Sequence, residues 1–212
     1  MSRGSTNSSI SFEQAVHESA QLLGEIESER MDDATVTDSV AGLVETSSGA
    51  RGFFVTYLTD QARAGDDHRD AVVAGLKKSP QIVNDLVAKN LVMSTAMALT
   101  HMRNDADELL AGSQRVSRRC MTLALCLSDQ ISANLEAMLA AVESQLAKRS
   151  DAFDAELTLS KYSFGAGSGQ INAEMKDEYE QFLIKWKYDA GQLKSARDIV
   201  QKVLRQLSKA KG

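Results

Sequence analysis

SPQIVNDLVAKNLVMSTAMALTHMRNDADELLAGSQRVSRRCMTLALCLSDQISANLEAMLAAVESQLAKR, residues 79–149, is the stretch whose reading decides the fold. Ser79 is a good helix N-cap, and Pro80 suits the first helical position, where its missing N–H is not needed. From there Ile82, Val83, Leu86, Val87, Leu91, Val92, Met93, Met97, Leu99 and Met102 leave little polar surface. A helix apolar on most sides belongs inside a larger body. Gly112-Ser113 offers an exit and a new cap. Beyond it Val116, Cys120, Leu123, Leu127, Ile131, Leu135, Met138, Val142 and Leu146 recur about every 3.75 residues, near the straight-helix period and above that of a left-handed coiled coil. The short connection turns the second helix back along the first. The expectation is an all-α, single-domain antiparallel bundle centred on a long helical hairpin, about 80–111 and 114–148.

Working outward, Ser11-Phe12-Glu13-Gln14 has the form of a capping box opening an amphipathic helix that ends near Arg30. Asp32 and Asp33 suit the start of a short second helix. Ser47 to Gly52 reads as a break. Phe53-Phe54-Val55-Thr56-Tyr57-Leu58 then holds three of the chain's eleven aromatics. Propensity favours a strand there, but no partner strand is evident, so a short helix packed under the central pair is the better reading. The last helix is expected over about 171–209, with Gly191 marking a bend or a close helix contact. Residues 1–9 are small and polar, with too little apolar surface to offset ordering, and are expected as a disordered tail to a domain over 10–212. The glycines near 160–170 read as a flexible connector, because no strand precedes them and no Lys-Ser or Lys-Thr follows.

Composition narrows the classes of function. One proline and few aromatics among 212 residues favour long helices, and 43% apolar with 25% charged is ordinary for a soluble protein. No run of eighteen apolar residues occurs, so no transmembrane segment is expected. The absence of a signal-peptide pattern points to the cytoplasm or a plastid stroma. Cys120 and Cys126 lie on different sides of one helix and read as small hydrophobes. Residues 11–70 hold thirteen acids against four bases, whereas 185–212 hold eight bases against two acids. Nucleic acid is disfavoured as a partner because the bases alternate with the core stripe and the whole chain is −5.

Three histidines allow few catalytic arrangements, and none lies in a known catalytic motif. His101, Asp105 and Glu108, spaced i, i+4 and i+7, are the candidates for a metal, since a continuous helix would range them along one face. The preferred reading is a salt-bridged helix end with no metal and no cofactor. Gly49–Asp60, Ser79–Asn104 and Phe182–Ala190 resemble an uncharacterised group of short all-helical proteins from cyanobacteria and plastids. The resemblance implies a soluble, photosynthetic-cell setting, and it carries over no functional residue, since the group has no assigned activity.

With no convergent polar set, the leading expectation is a non-enzymatic helical scaffold or accessory protein that binds another protein or itself. Arg51, Phe53, Phe54, Tyr57 and Trp186 are the candidate partner-binding residues. The alternative is a carrier of an apolar small molecule held between helices by Met93, Met97, Met102 and Cys120. A metal-dependent enzyme using the His101 face comes third.

Overall fold

The computed structural model describes residues 10–28, 30–62, 68–150 and 172–210. The expected tail at 1–9 and the expected connector near 160–170 lie outside them. Among the described residues there are nine α-helices and no strand, the all-α class expected. They are α1 (Phe12–Glu27), α2 (Asp33–Leu43), α3 (Ser47–Thr59), α4 (Arg69–Leu76), α5 (Pro80–Arg103), α6 (Asp107–Leu127), α7 (Asp129–Ser150), α8 (Ala173–Trp186) and α9 (Ala190–Lys209). The chain forms two compact units, Met1–Val87 and Ala88–Gly212, and α5 contributes residues to both.

In the first unit the caps fall where side-chain chemistry puts them. Ser11 and Gln14 close the capping box of α1, and Asp32 Oδ1 accepts from the Thr35 N–H at 2.8 Å at the start of α2. The segment read as a break at Ser47 to Gly52 is instead the opening of α3, capped by Thr46. Its glycines serve contact, not termination. α3 lies on α1 so closely that a Cβ on Gly52 would stand 2.6 Å from Ala15 Cβ and 2.9 Å from the Phe12 carbonyl oxygen. α4 meets α2 in the same way, with Gly75 against the Thr37 carbonyl and Val40. Thr37 Oγ1 seals that crossing by donating to the Ala71 carbonyl at 3.1 Å. Small residues at each crossing let the backbones approach, and Phe53, Phe54, Tyr57 and Leu58 fill the space beside them.

In the second unit the expected hairpin is present with its turn displaced. α5 ends at Arg103, and α6 runs back along it, with Thr95 Oγ1 3.0 Å from Ser117 Oγ. The chain reverses through Asp105 at φ 51, with the Ala106 N–H donating to the His101 carbonyl at 3.0 Å, a Schellman closure built on aspartate. Gly112 lies inside α6. The second arm divides at Ser128 (φ 55) into α6 and α7, yet Cys120, Leu123, Leu127, Ile131, Leu135, Met138 and Val142 are all buried, so the stripe was read in the right phase. The last helix divides as well. α8 ends on Lys187 at φ 51, and Asp189 with Gln192 forms the capping box that starts α9. α7 packs on α8 and α9, and α9 also packs on α6.

One helix among the described residues, Pro80–Arg103, is long and apolar enough by length and composition to cross a membrane, although Asp85 and Lys89 lie within it. Because nothing lies within 4 Å of a Cβ placed on Gly112, Gly112→Ala should raise stability by about 0.5–1 kcal/mol, read as a higher urea midpoint. A lower midpoint would mean that the helix does not run through this position.

Candidate partner-binding surface

The three metal candidates do not share a helix face. His101 is in the last turn of α5, Asp105 is the left-handed residue of the turn, and Glu108 is in the first turn of α6. The i, i+4, i+7 spacing needs one continuous helix, and the Schellman closure ends that helix between His101 and Glu108. Among the described residues no three His, Cys, Asp or Glu side chains gather as a metal site would require.

The aromatic candidates are divided by burial. Phe53, Phe54 and Tyr57 lie in the core of the first unit, Phe53 edge-on to Phe54 at 5.7 Å and stacked on Tyr57 at 5.4 Å. Helical periodicity turns them inward, so their rings offer no surface to a partner. Arg51 is on the outside of α3 with its guanidinium 5.6 Å from the centre of the Phe12 ring. Trp186 remains open, 48% exposed. Of the residues considered for an apolar carrier, Cys120 is buried, Met93 and Met97 are half-buried, and Met102 is on the surface.

Trp186 is one of several large apolar side chains open to solvent in the second unit. Met102 is 55% exposed, Leu109 59% and Ile184 50%. Two turns carry these residues, the α5–α6 reversal and the α8–α9 junction, and a polar clamp holds the turns together. Arg103 Nη1 donates to Asp189 Oδ2 at 2.6 Å. Gln192 Nε2 donates to Thr100 Oγ1 at 2.8 Å and to the Ala96 carbonyl at 3.4 Å. The Gln192 backbone N–H, and then the Arg103 guanidinium, hold the Asp189 carboxyl below its ordinary range. Gly191 leaves room for that guanidinium, because a Cβ there would run into Arg103 Nη2.

Behind the open surface is an aromatic wall. Phe182 meets Trp186 and Tyr188 edge to face, each at 6.5 Å, and Lys89 Nζ lies 5.9 Å from the Phe182 ring centre. Tyr188 is buried, its hydroxyl has no hydrogen-bond partner, and burial pushes its ionisation upward. Deeper still, Asn134 Nδ2 donates to the Tyr179 hydroxyl at 2.9 Å, which fixes α8 on α7. The arrangement presents large apolar side chains beside the lysines at 185 and 187. Sequence reasoning singled out Trp186 and missed Met102, Leu109 and Ile184. The signal for the first two was the polar run Asn104-Asp105-Ala106-Asp107, which marks a turn and so brings its flanking residues to the surface.

Shallow grooves indent the described part of the first unit. One, of about 430 Å³, is lined by residues of α1 and of the end of α3, including Leu23, Gly24, Glu27, Val55 and Asp60. Another, of about 340 Å³ between α1 and α2, is more carboxylate-rich, with Glu18, Glu25 and Asp38.

A family model described as Uncharacterised conserved protein UCP020893 matches residues 11–157, about two thirds of the chain. No curated protein and no solved structure matches it.

Proposed function

Since the chain belongs to the family Uncharacterised conserved protein UCP020893, whose description names no activity, we propose its function from its own surface: a non-enzymatic helical accessory protein that binds a protein partner through the Trp186 end of the second unit. The observation that carries this reading is the exposure of Met102, Leu109, Ile184 and Trp186 on two turns that the Arg103–Asp189 pair holds together. Covering side chains of this size removes a large apolar area from water, and tryptophan is among the residues enriched where binding energy concentrates. We place the protein in the cytoplasm or plastid stroma of a photosynthetic cell. That setting rests on the resemblance of its three quoted stretches, of which the family match spans Gly49–Asp60 and Ser79–Asn104.

Trp186→Ala tests the reading. The residue is half exposed, so urea unfolding should move by less than about 1 kcal/mol. A partner that the wild type retains from a cell extract should be held at least ~30-fold more weakly, the loss that a binding hot spot implies. Equal retention by the variant would refute the assignment.

A further inference from the structure

We infer that the partner of this surface is a second copy of the chain, whose groove between α1 and the end of α3 receives Trp186. The inference rests on the proposed partner-binding role and names its occupant. Lys185 and Lys187 flank Trp186 and all three are exposed, so the approaching element is an indole between two cations. The 430 Å³ groove is its complement. Val16, Ala20 and Leu23 give it an apolar lining, Val55 is half exposed, and Glu27 and Asp60 bring carboxylates to it.

Charge selects this arrangement over the symmetric one. Residues 1–87 hold fourteen acids and seven bases, a balance of −7, and residues 88–212 hold fifteen acids and seventeen bases, a balance of +2. Pairing two Trp186 ends would set Lys185 and Lys187 of one copy against the same lysines of the other. Pairing the Trp186 end with the groove sets them against Glu27 and Asp60. Opposite potentials steer the encounter and like potentials oppose it. The smaller groove, richer in carboxylates and less apolar, is the poorer receptor for an indole. The contact joins two different surfaces, so it is heterologous, and each copy offers one donor and one receptor.

Two variants test it without disturbing the fold. Gly24 is exposed on α1, it lines the groove, and a Cβ there meets nothing within 4 Å. Gly24→Arg therefore fills the groove with a cation while improving helix propensity. Trp186→Ala removes the donor. Analytical ultracentrifugation of the full chain should show association that rises with protein concentration and falls with added salt. Each variant alone should associate at least ~30-fold more weakly. An equimolar mixture of the two should associate again, because a mixed pair keeps one intact tryptophan and one intact groove, with circular dichroism confirming that both variants are folded. A wild type that stays monomeric at the highest concentration, a variant that associates like wild type, or a mixture no better than its components would each overturn the inference. If the chain is monomeric while Trp186→Ala still loses a different protein from an extract, only the second-copy assignment fails. If Trp186→Ala changes neither readout, the partner-binding role fails with it.

Discussion

Gly52→Leu should destabilise the first unit by more than about 3 kcal/mol, enough to leave much of the protein unfolded at physiological temperature if its stability is ordinary. The added side chain would begin at a Cβ 2.6 Å from Ala15 Cβ and 2.9 Å from both the Phe12 carbonyl oxygen and the Val16 nitrogen. Two of those three neighbours are backbone, so no rotamer change makes room and α1 itself must shift. Gly52→Ala should cost less, and an alanine at Gly24 or Gly112, where the space is open, should stabilise. Urea unfolding of the set would rank them. A Gly52→Leu protein within about 1 kcal/mol of wild type would show that α1 does not cross α3 at this point.

The second large effect belongs to Glu180. Its side chain is almost fully enclosed on α8, and Lys148 Nζ donates to Oε2 at 2.6 Å while Lys176 Nζ donates to Oε1 at 2.7 Å. Gln145 Nε2 adds a third bond at 3.3 Å. Lys148 first, and then Lys176, lower the carboxyl from 4.5 to about 2 against the opposing effect of burial. A carboxyl whose folded pKa is depressed contributes stability that is fully present above its unfolded value. That contribution is lost as pH falls from about 4.5 toward 2. Glu180→Gln should therefore cost about 2 kcal/mol near neutral pH, a figure trimmed because both lysines keep contact with water. The gap to wild type should narrow through that acid range and close near its lower end. Urea unfolding of the two proteins across the range measures it. A difference independent of pH would mean that the carboxylate's charge plays no part.

Sequence carried the architecture better than the punctuation. The buried stripe from Cys120 to Val142 could be read because burial follows the helical period, and the interruption at Ser128 leaves that phase intact. The turns were misplaced because glycine was read as the breaking residue. Gly49 and Gly52 instead let helices touch, and Gly112 is an ordinary interior position. The actual breaks fall at Asp105, Ser128 and Lys187 in left-handed backbone, where composition gives a fainter signal. The capping box at Asp189 and Gln192 was legible, and the amphipathic run across it hid it. The same misplacement produced the metal candidates, because the apparent face through His101, Asp105 and Glu108 existed only while the helix was taken as unbroken. Exposure of Met102 and Leu109 has a local sign in the polar run between them, whereas the pairing of that turn with the α8–α9 junction depends on Asp189 against Arg103, far apart along the chain, and no local pattern records it.

The order in which the helices leave the ribosome gives the packing of α9 a further meaning. Leu193, Ala196, Val200, Val203 and Leu207 on α9 are buried, and α9 rests on α6 and α7, which are made much earlier. The first unit can close once α4 and the opening turns of α5 emerge, since α1 meets α3 and α2 meets α4 through nearby contacts. The second unit must wait with its apolar seams uncovered until α9 has been made, and surface exposed in that interval is of the aggregation-prone kind.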